Sequence, residues 1–255
     1  SVWELLWPLA SGAKLIFARP GAQGDVAYLR DIIEAEQITT IHFVPSMLGA
    51  FMAGISAGDC RSLQRVLCSG EALTVEQVRL FRELFPAVSI SNLYGPTEAA
   101  VHVSNWSAPE DISALTTIPI GKPVANTSLY VLDFDESLVP IGVVGELCIS
   151  GAQIAKGYLN QEALTTAQFI SNPFKKGERI YKTGDLARWL PDGTIEYLGR
   201  KDTQVKVRGY RIELGEIENA LAQLAGVNHC ALLSPADQNG SNRKLAYVVP
   251  EGELN

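Results

Sequence analysis

Tyr94, Thr97 and Glu98 stand close together in SNLYGPTEAAVHVS, residues 91–104, and gather a ring, a hydroxyl and a carboxylate around a Gly-Pro turn. The ring can stack on a flat heterocycle, Thr97 can hydrogen-bond a phosphate, and Glu98 can hold a hard cation such as magnesium, which favours oxygen ligands. Gly95 and Pro96 force a turn that brings backbone amides to the surface. The same pattern also suits a plain surface turn with a solvated Glu98. Further on, YKTGDLARWLPDGTIEYLGRKD sets Asp185 after a Thr-Gly turn and Arg200 at the end of a strand. A fixed carboxylate is a good acceptor for the two hydroxyls of a ribose, and Arg200 can meet a phosphate. Taken alone, Asp185 is more often a turn carboxylate than a ligand. Lys206, Arg208 and Arg211 in GRKDTQVKVRGYRIELGEIE form a basic strip, but Glu213, Glu216 and Glu218 follow at once, so a solvated charged face is expected there.

Such groups need elements to position them. DVAYLRDIIEAEQ places Val26, Leu29, Ile32 and Ile33 on one helical face, and ITTIHFV then reads as a strand. RVLCSG is a second strand. Thr74 and Gln77 make a capping box for VEQVRLFRELF, which Pro86 ends before the strand-like AVSISNLYG. Strand, helix and strand at this spacing predict βαβ units and a largely parallel sheet. In such a sheet, ligands sit beyond the carboxyl ends of the strands, which is where Tyr94 falls. From about residue 118 the chain turns to short β-prone runs split by Gly and Pro, with Asp192-Gly193 as a hairpin turn. After Arg200, ELGEIENALAQL carries Ile217, Ala220, Leu221 and Leu224 on one face and is followed by the strand-like HCALLS and KLAYVVP. The expected fold class is α/β, with a parallel-sheet core portion over residues 1–117. A distorted β-barrel subdomain over 118–201 and a truncated small α+β lid domain over 202–255 complete it.

The totals agree with a globular protein: 255 residues, 47% apolar and 19% charged. A net charge of −7 argues against binding nucleic acid or an anionic membrane through bulk charge. No apolar run approaches the roughly 20 residues of a membrane span. The start, SVWELLWPLA, lacks a basic region and cleavage site of a signal peptide. Cys60, Cys68, Cys148 and Cys230 form no CxxC pair, so reduced, buried thiols in a cytoplasmic protein are expected rather than metal ligands or disulfides.

Six segments in fixed order resemble the adenylation domains of nonribosomal peptide synthetases, within the acyl- and aminoacyl-adenylate-forming superfamily. They are SVWELLWPLASGAKL, NLYGPTEAAV, GELCISGAQIAKGYLNQEALTTAQF, the NPF...GERIYKTGD lead-in, YKTGDLARW and GRKDTQVKVRGYRIELGEIE. The resemblance implies a two-step reaction. An amino-acid carboxylate attacks the α-phosphate of ATP, and a phosphopantetheine thiol on a carrier domain then takes the acyl group as a thioester. It implies that Tyr94, beside Gly95, stacks on adenine, that Thr97 touches the α-phosphate and that Glu98 binds Mg2+. Asp185 would hold the ribose hydroxyls with Tyr197 and Arg200 nearby; Thr97, Glu98 and Arg200 are the catalytic candidates. Asp202 matches the hinge of the small domain, and Gly209 a position bordering the pantetheine tunnel.

The amino-acid pocket would fall on Trp3, His42, Leu67, Ser69, Leu93, Val101 and His102. That set is similar to serine-activating pockets, except that His102 stands where they usually carry Asp. Lys156 and Gln161-Glu162 are milder, surface-type departures. The resemblance places a phosphate loop and an amino-group-binding Asp before Ser1, and a catalytic lysine after Asn255. The chain is therefore expected to be part of a larger enzyme, inefficient alone, with carrier and condensation domains flanking it and an MbtH-like helper as a further partner. The rival readings are an acyl- or aryl-CoA synthetase of the same superfamily and a non-catalytic scaffold that binds nucleotide or a carrier.

Overall fold

The computed structural model describes residues 2–207, 209–233 and 245–250. Helix α1 (Val2–Ala10) leads through an irregular segment to α2 (Val26–Ala35) and strand β1 (Thr40–Phe43). Then come α3 (Pro45–Ala53), β2 (Arg65–Cys68), α4 (Val75–Leu84) and β3 (Ser89–Tyr94). The caps follow from the local sequence. Asp25 accepts from the Tyr28 amide to start α2, and Thr74 and Gln77 form the full reciprocal box on α4. Leu29 and Ile33 of α2, Leu48 and Phe51 of α3, and Val78 and Phe81 of α4 pack on Val66 and Ile90 of the sheet. Each such side chain contributes about 1.5–3 kcal/mol on burial.

β1, β2 and β3 are parallel, with His42 beside Leu67 and Leu67 beside Ser91. Beyond them the sheet is antiparallel. β4 (Ser104–Ser107) returns along β3 and pairs β5 (Lys122–Pro123). The reversal is built into the turn after Tyr94, where Ala100 and Val101 take positive φ of 54° and 82°. The sheet is thus parallel on one side only.

The second sheet holds β6 (Thr127–Leu132), β7 (Gly145–Gly151), β8 (Phe169–Ser171), β9 (Arg179–Trp189) and β10 (Ile195–Arg200), with α5 (Glu162–Gln168) ahead of β8. Its order is β10-β9-β7-β6, with β8 also on β9, all antiparallel. No ladder among the described residues joins its ends, so the barrel-like stretch is an open, bulged sheet. Its core of Val131, Leu147, Ile149, Tyr181 and Ile195 is continuous with Tyr94, Ala99 and Val103. The two sheets therefore meet where β3 ends.

The last elements are β11 (Gln204–Val207) paired with β12 (Tyr210–Glu213), then α6 (Leu214–Ala222), β13 (Val227–Leu233) and β14 (Leu245–Pro250). The apolar face expected at α6 is only partly covered: Ile217 and Leu221 are half-buried, Ala220 is exposed, and Leu224, past the end of α6, is 56% exposed. All four cysteines are free, with Cys60, Cys68 and Cys148 buried. Among the described residues no helix is long and apolar enough to cross a membrane.

Candidate active site

β3 is buried from Ile90 to Tyr94, and its end aims the functional turn into the seam between the sheets. Gly95 is obligatory there, because a Cβ would lie 2.5 Å from His102 Cα. Thr97–Ala99 is one 3-10 turn that leaves Thr97 exposed and Glu98 buried. Buried Tyr94 donates its hydroxyl to Asp185 Oδ2. Burial first, and the Asp185 carboxylate second, push the Tyr94 phenol well above its ordinary pKa, so it stays a donor. Its ring lies 6.2 Å from that of Tyr197.

Asp185 is not at a turn, as the Thr-Gly pair suggested, but within the long strand β9. The reason is a bulge. Gly184 takes φ of +75°, and the β7–β9 register shifts between Glu146 and Cys148. Thr183 Oγ1 donates to Leu147 O at 2.6 Å and accepts the Asp185 amide at 3.0 Å, while the Gly184 amide donates to Glu146 at 3.0 Å. The backbone groups freed by the bulge are thus satisfied. Arg200, opposite Asp185 on β10, donates to it at 2.8 Å and makes a two-pronged pair with Asp202 at 2.6 Å each. Burial opposes the Arg200 charge, but Asp202 and Asp185 outweigh it and raise its pKa further. The same pairing holds the Asp202 carboxyl below its ordinary value.

A cavity of about 1120 Å³ opens here, lined among others by Tyr94, Gly95, Tyr197, Arg200, Gln204 and Lys206. It is slightly above the range of small-molecule sites, roughly 300–1,000 Å³. Its far wall is the β11–β12 strip, which corrects the expectation of a solvated face for Lys206, while Arg211 stays partly exposed. Lys206 Nζ lies 5.4 Å over the Tyr94 ring, and burial lowers its pKa. Arg211 Nη1 donates to both Glu98 oxygens, at 2.7 and 2.8 Å. Lys206 is turned inward, and Arg211, though still partly exposed, reaches in to buried Glu98. Arg208 lies outside the described residues.

Glu98 also accepts from Tyr158 Oη at 2.8 Å. Burial works to raise its pKa, but the Tyr158 and Arg211 hydrogen bonds win and hold it below the ordinary value. Glu98 is thus kept ionised, as a cation ligand must be, but Arg211 holds both its oxygens here, so a divalent cation would have to displace that guanidinium. Among the described residues no three His, Cys, Asp or Glu side chains cluster to cage one. Magnesium there would take most of its ligands from phosphate and water, as it commonly does. Gly209, at φ +78°, donates its amide to Glu71 at 3.0 Å, and a Cβ on it would meet Val44 Cγ1 at 2.8 Å. Tyr158, Glu71 and Arg211 were not singled out as site residues. Tyr158 and Arg211 stand in quoted family-like segments; Glu71 carries no signal, and its role depends on the β11–β12 loop folding back.

A second group assembles beside Gly95. His42 on β1 contacts Ser69, just beyond β2, through Nε2 at 2.7 Å. Trp3 on α1 sets its ring edge-on to His42 at 5.3 Å and to His102 at 5.4 Å. Leu67 and Leu93 lie on the neighbouring strands β2 and β3, and Val101 precedes His102 on the return turn. Burial, and next His42, lower the His102 pKa and favour its neutral form. The structure thus brings Trp3, His42, Ser69 and His102 together.

The family model described as AMP-binding enzyme matches residues 1–159. The chain is 48% identical over 254 residues to tyrocidine synthase 3 of Brevibacillus parabrevis, covering 100% of this chain and 4% of that protein. It is 45% identical over 267 residues to enterobactin synthase component F of Escherichia coli K12, covering 100% and 21%. These shares mean that the chain spans only a small part of the curated relatives it matches. Among solved structures, it is similar to PA1221, a protein containing adenylation and PCP domains, with a TM-score of 0.79 and 30% identity over 89% of this chain and 46% of that one. It is also similar to the Vibrio cholerae adenylation domain AlmE in complex with glycyl-adenosine-5'-phosphate, with a TM-score of 0.86 and 27% identity over 97% and 47%.

Proposed function

Because this chain belongs to the AMP-binding enzyme family, as part of an adenylation domain of the nonribosomal peptide synthetase kind, we propose that its cleft activates a small hydroxylated amino acid, serine foremost. The product is an aminoacyl-adenylate, which passes to the phosphopantetheine thiol of a carrier domain. The observation that carries this reading is the meeting of two groups at the end of β3. Tyr94, Asp185, Arg200 and Glu98 line one side of the turn, and His42, Ser69 and His102 the other.

In this reading Tyr94 and Tyr197 flank the adenine. Asp185 keeps free lone pairs for the ribose diol after accepting from Tyr94 and Arg200. Thr97, exposed at the turn, donates to the α-phosphate, and Arg200 offers charge beside it. Magnesium held by Glu98 neutralises phosphate charge when bound. Asp202 is the hinge residue and Gly209 borders the thiol's path. AlmE, in complex with a glycyl-adenylate, supports the aminoacyl half, and PA1221, with its PCP domain, supports a carrier partner. A condensation domain and an MbtH-like helper complete the proposed assembly in the cytoplasm.

The test is amino-acid-dependent ATP–pyrophosphate exchange by this chain within its natural flanking sequence. Serine, threonine, alanine and cysteine are compared, with acids lacking the amino group as controls. Serine leading the set is the expected result. Exchange led by another amino acid sinks serine but keeps the activity. Exchange only with acids lacking the amino group makes the chain a CoA-ligase relative, and silence with all acids makes it a scaffold.

A further inference from the structure

Glu4, on α1 next to Trp3, starts a chain of polar contacts that ends in the amino-acid pocket. Its Oε1 lies 2.6 Å from His42 Nδ1, and His42 Nε2 lies 2.7 Å from Ser69 Oγ. An ionised carboxylate only accepts, so Nδ1 carries the proton in this contact. As long as the ring is neutral, Nε2 carries no proton, and in that state the Ser69 hydroxyl donates to it. Ser69 Oγ has spent its one proton and offers a ligand only lone pairs. A ligand that brings an O–H donor meets those lone pairs; one that brings a methyl leaves them unmet.

A second observation points to a polar ligand at the same place. Trp3 Nε1 and His102 Nδ1 are buried and have no hydrogen-bond partner among the described residues. Both belong to rings set edge-on to each other at 5.4 Å. Buried polar atoms are nearly always satisfied, so two orphans on facing rings mark where ligand polar atoms fit.

We infer that Glu4 is a positioning residue for substrate choice. By holding His42 as the neutral Nδ1–H tautomer it makes Ser69 an acceptor toward the ligand, so the site favours an amino acid with a side-chain hydroxyl over an equally small apolar one. The inference rests on the amino-acid-activating reading above.

The test uses the full-length synthetase carrying Glu4→Leu or Glu4→Gln. Gln keeps a carbonyl that can accept from Nδ1–H, whereas Leu keeps the bulk and removes the acceptor. Three readouts are taken: the serine-over-alanine ratio of kcat/KM in exchange, KM for ATP, and the crystal structure of the Leu variant. Glu4→Leu is expected to lower the ratio about tenfold or more, in line with losing one buried hydroxyl contact. Glu4→Gln should stay within about threefold of the parent, KM for ATP should not move, and His42 should turn off Ser69 in the Leu structure. An unchanged ratio in Glu4→Leu overturns the inference. So does an equal loss for serine, alanine and ATP that Gln fails to rescue, which marks a residue that only holds α1 in place. If the parent enzyme exchanges with no amino acid, the activity reading falls on its own. The crystal structure then decides the positioning role: His42 still bonded to Ser69 without Glu4 sinks it, and a turned ring sustains it.

Discussion

Asp185 accepts one hydrogen bond on each carboxylate oxygen, from Arg200 and from Tyr94, and a carboxylate offers about four lone-pair sites. About two sites remain, which suits two adjacent hydroxyls. Asp185→Asn puts an amide donor against a donor already present, so KM for ATP should rise about tenfold while the amino-acid KM stays put. Steady-state exchange at varied ATP measures both. Glu98→Gln keeps the shape and the Tyr158 contact but removes the charge that a cation needs. Exchange should fall about a hundredfold and should not recover with added magnesium; full activity would remove Glu98 from the metal role. Asp185, expected after a turn, lies within β9, but the placement of Tyr94, Glu98 and Arg200 at strand ends and a turn was legible in the sequence. The Tyr94–Asp185 bond was not, since it joins two sheets across 91 residues of chain. Nor was the Arg211–Glu98 pair, because a basic strip next to acidic residues looks solvated and gives no sign of a partner 113 residues away.

Among the elements, β3 and α4 followed from local rules: a capping box, one apolar face and a proline stop. β9 did not. Its length of 11 residues hides the Thr183-Gly184 bulge, and a glycine pair with threonine gives the same signal for a bulge as for a turn. The β9–β10 hairpin also holds a structural charge. Glu196 is buried, accepts from Thr117 Oγ1 at 2.6 Å, and pairs with Arg188 Nε at 2.6 Å. The Thr117 hydrogen bond leads and Arg188 adds to it, and together they outweigh burial and hold the Glu196 pKa below its ordinary value. A depressed folded-state pKa gives stability that is complete above the unfolded value of about 4.3 and is lost as pH falls through the folded value. Glu196→Gln should therefore lower Tm by about 2–4 °C at neutral pH. The gap between parent and variant should close as the pH drops below about 4. Parallel thermal melts across pH check this, and a gap that persists in acid would assign the loss to packing.

Across the whole molecule, the cleft is shared by the β1–β5 sheet, the β9–β10 hairpin and the β11–β12 strip, with Asp202 at the passage to the last. The order of these parts could be read from changes of texture along the chain. Their mutual placement could not, because it rests on contacts such as Gly209 to Glu71 that join residues 138 positions apart. Gly209→Ala adds a Cβ that meets Val44 at 2.8 Å in a backbone region unfavourable to side chains, so the strip should not close as it does here. In the full synthetase, carrier loading should drop about tenfold or more while exchange changes less than about twofold, since the proposed function assigns this closure to the second step. Equal losses in both would place Gly209 in folding instead. The cysteines bear on how such closure can be watched. Burial pushes the thiols of Cys60, Cys68 and Cys148 up to about 11, 12 and 12, which leaves them protonated and shielded at neutral pH. Cys230, half-buried and donating to Glu218 O, is the only one within reach of a maleimide. A Cys230→Ser background thus gives this chain silent native thiols, and a pair of dyes set on either side of Asp202 would report the swing as a distance in single molecules.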